Sequence, residues 1–388
     1  MKKLLGILLA AVLFWQSFLP VAAETEGLDV EAPAAILMEA STGTVLYEKN
    51  ADERRSPASV TKIMTVLLTF EALEKGTLKL EDMVVTSAHA KSMGGSQVFL
   101  EEGEKQSVET MLKCIIIASG NDAAVAMAEH IAGSEEEFVK RMNERAAELG
   151  MENTHFVDCC GLTDSQEHYT SARDIAIMSR ELITRFPKVH EYATVWMEDI
   201  THETRQGTTT FGLTNTNKLL RSYDGCTGLK TGSTSTAKFC LSATANRNGI
   251  DLISVIMAAP DSKTRFANAA TLLNYGFGIC NLYTDENQDS LPPVAVTRGV
   301  KEEVSCSYEG PFRYLDTQGM DLSGVEKKII VSEDVRAPMK KGDVIGKAVY
   351  YLNGEEIGSV GILVQEDVPE AGFLDYLKKA WEAYRLFA

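Results

Sequence analysis

Residues 54–65 read RRSPASVTKIMT, and the fold turns on how Ser59 and Lys62 within them are understood. From Ser59 to about Glu74, Ile63, Val66, Leu67 and Phe70 recur at helical spacing, and Gly76 ends the run. Pro57 and Ser59 carry the chemistry of a helix start. Residues three apart share a helix face, so the Ser59 hydroxyl and the Lys62 amine can meet. A serine hydroxyl is a poor nucleophile until a base takes its proton. Lysine can be that base only if its pKa falls from ~10.4 toward neutrality, a change worth ~4 kcal/mol. Burial beside an apolar core and a second nearby cation both push it that way. The plain alternative is a capping serine with a lysine whose amine reaches water along an apolar stem. The spacing alone does not separate the two.

Working outward, two further polar triplets fall on structural breaks. Ser119-Gly120-Asn121 joins two helical runs in SVETMLKCIIIASGNDAAVAMAEHIAG, where a glycine lets polar side chains point into a cleft. Lys230-Thr231-Gly232, inside CTGLKTGSTSTAKFCL, is expected at the start of a strand. Its lysine offers a fixed cation and its threonine a hydroxyl, and its glycine lets a substrate backbone lie close. Each triplet alone is commonplace, a turn and an exposed strand end. On helix start, loop and strand, in that order, the three form a specific combination.

The surrounding chain supplies a scaffold of mixed type. AAILMEASTGTVLYEKN reads as a β-hairpin around Ser41-Thr42-Gly43, and KFCLSATANRNGIDLISVIMAAP as another around Asn246-Arg247-Asn248-Gly249. Helices are expected after Ser134 and Ser171 and in SKTRFANAATLLNYGF. Composition changes near Leu291-Pro292-Pro293, and short strand-like runs then continue to about Val368. The end, GFLDYLKKAWEAYRLFA, aligns Phe373, Leu377, Trp381 and Tyr384 on one helical stripe. The expected fold is therefore an α/β (α+β) domain with an antiparallel sheet flanked by helices, followed by a small all-β domain and a C-terminal amphipathic helix. The expected boundaries are 24–285, 290–370 and 371–388.

Composition narrows the partners. The 388 residues include 38 Lys+Arg against 55 Asp+Glu, a net charge of −17, which repels phosphate backbones and argues against nucleic acid. MKKLLGILLAAVLFWQSFLPVAAET has the charged, apolar and small-residue order of a secretory signal, with cleavage after Ala23, so residues 1–23 are expected to be removed and the chain exported. The seven cysteines show no C-x-x-C spacing, so no metal site and no catalytic cysteine are expected. His130 and His168 read as structural, and no H-E-x-x-H pattern occurs.

With these motifs in view, the chain resembles the serine-type D-alanyl-D-alanine carboxypeptidases, the low-molecular-weight penicillin-binding proteins. SPASVTKIMT, ASGNDAAVAMAE, HYTSARDIAIMS, TNTNKLL, GLKTGSTSTAKFCL and LLNYGF match that family in order and spacing, and the β domain and terminal helix resemble its C-terminal half. The resemblance implies that Ser59 attacks the carbonyl between two D-alanines of a peptidoglycan pentapeptide stem, with Lys62 as general base. It implies that Ser119 relays a proton, that Asn121 binds the substrate amide and orients Lys62, and that Lys230 and Thr231 hold the terminal carboxylate, with Gly232 letting the substrate backbone lie close. Backbone N–H groups of Ser59 and Ser233 would form the oxyanion hole. It further implies β-lactams as covalent inhibitors, no cofactor, and a role in cell wall biogenesis and cell shape. The last helix reads either as a packed cap on the β domain or as an interfacial anchor with Trp381, Tyr384 and Phe387 at its apolar end; the anchor is the expected reading, peripheral on the outer face of the cytoplasmic membrane. Two positions depart from the family pattern, Ser233 where a bulky residue is frequent and the vicinal pair Cys159-Cys160. A class A β-lactamase shares the three motifs, but THFVDCCGLTDSQEHYTSA offers Glu167 without the Glu-x-x-x-Asn pattern of that class. The other rival is a catalytically weak wall-binding protein, against which stand an intact nucleophile, base and carboxylate site. No G-x-S-x-G elbow for a Ser-His-Asp hydrolase is present.

Overall fold

A computed structural model describes residues 28–205 and 207–387, and side chains as far as Trp381. The expected signal segment lies outside them, as do the side chains of Tyr384 and Phe387.

The site is carried by a five-stranded antiparallel sheet. In chain order its strands are β1 (Ala34–Glu39), β2 (Val45–Lys49), β5 (Cys226–Thr234), β6 (Lys238–Arg247) and β7 (Ile250–Ala259), arranged in space as β2-β1-β7-β6-β5. Both expected hairpins are present. Alternate residues point to opposite faces of a strand. Here both faces are covered: Ala34, Ile36 and Met38 join one core with Ile253, Val255 and Met257, while Ala35 and Leu37 join another with Leu252 and Ile256. Helix α6 (Ser262–Ile279) closes the second core with Ala269, Leu272 and Leu273. The first core runs into a helical layer.

The centre of that layer is α1 (Lys62–Glu74), buried on nearly all sides through Ile63, Met64, Val66, Leu67 and Phe70, as expected of a helix apolar all round. Around it stand α2 (Val108–Ile116), α3 (Asn121–Ala132), α4 (Glu135–Glu148) and α5 (Ala172–Arg185). Several starts are side-chain capped. Ser107 accepts from Thr110 N, Ser134 from Glu137 N, Ser171 from Asp174 N and Asp261 from Thr264 N.

Two local expectations are corrected. Ser59 does not cap α1: residues Ala58–Thr61 form a separate 3-10 turn whose start has no side-chain cap, leaving the hydroxyl free to face Lys62. Lys230-Thr231-Gly232 lies well inside β5, because pairing with β6 begins at Cys226. An unforeseen hairpin, β3 (Met197–Thr204) with β4 (Gly207–Thr214), stands largely in solvent. Its polar strands lack the apolar alternation that marks a half-buried sheet.

The C-terminal region holds a four-stranded antiparallel sheet ordered Cys306–Tyr308, Glu355–Val364, Val344–Leu352, Glu326–Val331. Phe312 stacks on buried Tyr350 at 3.8 Å between centroids. Strand Asn281–Asp285 pairs with Phe312–Asp316 across the change in composition. The last helix, Phe373–Phe387, exposes Phe373, Leu374, Leu377 and Trp381. Among the described residues no helix is long and apolar enough to cross a membrane.

Candidate active site

The sheet edge, the 3-10 turn and the α2–α3 junction meet at Ser59. Ala58 has φ of 49° and is fully buried, and Ser119 has φ of 62° and is nearly so. Left-handed backbone costs a non-glycine residue about 1–3 kcal/mol, and such strain gathers where a side chain must be aimed. Both residues bear on the same cleft.

Lys62 is fully buried and its amine has three oxygen neighbours: Asn121 Oδ1 at 2.6 Å, Cys160 O at 2.8 Å and Ser59 Oγ at 3.0 Å. Burial pushes its pKa down, against the weaker opposing influence of the Cys160 and Cys159 thiols, Asp158 and Asp122. The solvated, snorkelling lysine is therefore not what the fold builds. Asn121 is itself fixed, donating Nδ2 to Gly94 O at 2.8 Å and its backbone N–H to Ser96 O at 2.8 Å.

Across the cleft, Lys230 donates to Ser119 Oγ at 2.9 Å and to Thr231 O at 3.0 Å. It too is buried. Its pKa is pushed well down by burial and then by the neighbouring Lys62 amine and Arg265 guanidinium, so the expected fixed cation is one that holds its charge reluctantly until an anion arrives. Thr231 Oγ1 meets Thr216 Oγ1 at 2.6 Å. Ser233 is exposed at the mouth. Gly232 has a steric reason: a Cβ there would stand 2.8 Å from Pro57 O and 2.9 Å from Ser59 N. The strand and the 3-10 turn touch backbone to backbone.

The structure brings the eight expected residues together: Ser59, Lys62 and Asn121 share hydrogen bonds, Lys230 meets Ser119, and Gly232, between Thr231 and Ser233, abuts the Ser59 backbone. Sequence reasoning missed four contributors. Arg265, in the first turn of α6, is buried behind β5 and donates Nη1 to Gly232 O and Cys240 O at 3.1 Å, and burial lowers its pKa to about 10. Thr216 was visible only as part of TNTNKLL. Cys160 acts through a main-chain carbonyl, which no side-chain pattern reveals. Asp158 organises the turn that bears it, and the D-x-x-G spacing was its one signal. Behind that turn, Val157 N–H donates to His168 Nδ1 at 3.0 Å, so His168 Nε2 carries the hydrogen given to Thr61 Oγ1 at 2.9 Å. His168 is structural. The seven cysteines are free thiols, and burial raises the pKa of Cys159 and Cys240, leaving them unreactive. Among the described residues no group of three or more His, Cys, Asp or Glu is placed to hold a metal ion.

A hydroxyl facing a buried amine, with an Asn and a second buried amine opposite, is machinery for acyl transfer without a metal ligand set. Comparison with known proteins agrees. Residues 21–261 match the family model of D-alanyl-D-alanine carboxypeptidases, and residues 287–370 that of the penicillin-binding protein 5 C-terminal domain. D-alanyl-D-alanine carboxypeptidase DacF of Bacillus subtilis is 41% identical over 386 residues, 98% of each chain. DacC of Escherichia coli is 37% identical over 90% of this chain and 87% of its own. The crystal structure of penicillin-binding protein 5 from Haemophilus influenzae is similar with a TM-score of 0.71 at 33% identity, covering 88% of this chain and 98% of that one. Matched along nearly its whole length by such relatives, the chain belongs to the D-alanyl-D-alanine carboxypeptidase family of serine hydrolases.

Proposed function

We propose that this protein removes the terminal D-alanine from peptidoglycan stem peptides through an acyl-enzyme on Ser59, and that β-lactams trap it at the same step. The observation that carries the reading is the coordination of the Lys62 amine. A neutral amine has two N–H bonds and one lone pair. Asn121 Oδ1 and the Cys160 carbonyl can only accept, so they take the two hydrogens, and the lone pair is left facing Ser59 Oγ at 3.0 Å. The Ser59 proton passes to Nζ as Oγ bonds the carbonyl carbon between the D-alanines.

The tetrahedral oxygen then lies against the backbone N–H groups of Ser59 and Ser233, donors each worth roughly 3 kcal/mol in such a site. As the C–N bond breaks, Ser119 gives its hydroxyl proton to the departing nitrogen and takes the proton that Lys62 Nζ received from Ser59, which leaves the amine neutral again. Lys230 and Thr231 hold the free carboxylate, which restores the Lys230 charge that burial disfavours. A requirement for that carboxylate makes the enzyme an exopeptidase. Water later cleaves the ester. A β-lactamase is less favoured, because Glu167, the carboxylate offered in the relevant loop, is exposed.

The same reading assigns residues 1–23 to an export signal and residues 24–285 to the catalytic domain, with 290–370 as an appended all-β domain. It places residues 371–388 on the outer face of the cytoplasmic membrane as an interfacial helix. Support for the last assignment comes from exposed Phe373, Leu374, Leu377 and Trp381 on one short helix.

The decisive experiment pairs intact-protein mass spectrometry after penicillin with an assay of D-alanine release from a diacyl-D-Ala-D-Ala tripeptide. The expected result is one adduct per chain and D-alanine release, both lost in Ser59→Ala. Release that continues in that variant overturns the assignment.

A further inference from the structure

The mechanism above leans on a carbonyl, Cys160 O, and a carbonyl is only as well aimed as the turn that carries it. The turn after Cys160 is pinned by one side chain. Asp158 Oδ1 accepts from Cys160 N at 2.9 Å and from Gly161 N, while Oδ2 accepts from Leu162 N at 3.1 Å and Thr163 N at 2.8 Å. Four successive N–H donors converge on one carboxylate. Only an ionised carboxyl group has two oxygens that accept and nothing that donates. An asparagine would turn an NH₂ toward two of the four donors.

The same turn is wedged against the nucleophile. Gly161 has φ of +77°, and a Cβ there would fall 1.8 Å from Ala58 O and 2.7 Å from Thr61 Oγ1. Two residues back, the Cys159 carbonyl accepts from Thr65 Oγ1 at 2.5 Å, one turn along α1 from Lys62. The vicinal cysteines thus contribute adjacent carbonyls to one face of α1, and both thiols are buried in the core. Asp158 is the residue that fixes where those carbonyls point.

We infer that Asp158 is a positioning residue for the general base: its carboxylate holds the turn whose Cys160 carbonyl accepts from Lys62 Nζ. The inference rests on the reading of Ser59 and Lys62 given above. The groups facing Lys62 are Asp122 from α3, Asp158 and the two thiols from the loop, and Lys230 from β5. Asp158 is in turn faced by His168, which burial keeps neutral at and above neutral pH. Removing the Asp158 charge therefore has two separable effects. The amine loses an acceptor held in place, which lowers the rate at its plateau. It also loses an anion that favours the ammonium form, which moves the acid limb of the rate profile to lower pH.

The test measures the second-order rate of acylation by penicillin as a function of pH for the full chain and for Asp158→Asn and Asp158→Ser, together with thermal melting. The expected result is a plateau lowered by about 10-fold to 100-fold, as for a misplaced catalytic group, with an acid limb at lower pH than in the parent. A lowered melting temperature with an unchanged limb and plateau means a purely structural Asp158 and overturns the inference. Loss of cooperative melting in both variants also overturns it, since the carboxylate then holds the domain rather than the base. Should the parent chain itself form no penicillin adduct, the reading of Ser59 fails. A parent that acylates beside variants with an unchanged profile sinks only the role of Asp158.

Discussion

Gly232 faces the backbone of Ser59 so closely that a β-carbon built on it would stand 2.9 Å from Ser59 N. In the proposed mechanism that spacing sets the N–H groups of Ser59 and Ser233 around a single carbonyl oxygen. Gly232→Ala must push β5 away from Ser59. We expect acylation by penicillin to fall by about 100-fold, the scale of a 1 Å misplacement. The count of binding sites, titrated to completion over hours, should stay at one per chain. Stopped-flow acylation rates check the first and intact mass the second.

Asn121→Asp tests the protonation state of the base. The substitution puts a carboxylate where Asn121 Oδ1 now lies, 2.6 Å from Lys62 Nζ. An anion at that distance favours the ammonium form and raises the amine's pKa. Acylation at pH 7 should fall by roughly 10-fold to 1000-fold and recover as pH rises. A flat pH profile in the variant would show that Lys62 is not the base.

Substrate affinity should depend on pH through Lys230. Burial, the neighbouring Lys62 amine and the Arg265 guanidinium depress its pKa, so the empty site loses that charge as pH rises through the depressed value. A carboxylate-bearing peptide binds the charged form and must then take up a proton. KM for a diacyl-D-Ala-D-Ala peptide is expected to increase with pH above that point, ahead of any loss of charge at Arg265 near pH 10. The amide-capped peptide gives the control, with weak binding and no such trend.

Removal of residues 372–388 should separate location from chemistry. The exposed Phe373, Leu374, Leu377 and Trp381 lie on this helix, remote in sequence from the cleft. Flotation with anionic vesicles should recover the full mature chain and lose the truncated one, with D-alanine release from soluble peptide unchanged within about two-fold. Retention of the truncated form on vesicles would remove the helix from the account.

Much of this was legible in the chain. The β1–β2 and β6–β7 hairpins announced themselves through Ser41-Thr42-Gly43 and Asn246-Arg247-Asn248-Gly249, since tight turns demand special backbone angles that few residues adopt. Helices α4 and α5 were marked by Ser134 and Ser171, whose hydroxyls do accept from Glu137 N and Asp174 N. The β3–β4 hairpin was invisible because solvent touches most of it and no periodic apolar face is required. Ser59 looked like a helix cap, yet its hydroxyl faces the amine of Lys62 three residues on, which the 3-10 turn makes possible.

By itself, the sequence determined which groups could do chemistry here: a hydroxyl three residues from an amine, an amide at a helix break, a second amine on a strand. Residue type fixes donors, acceptors and nucleophiles wherever the chain goes. Only the tertiary structure decided that the two amines are buried and so reluctant to hold charge, because desolvation depends on what packs around a group. It alone also recruited Asp158, Arg265 and the Cys160 carbonyl, since main-chain direction and distant burial are properties of the folded chain and leave no mark in the order of residues.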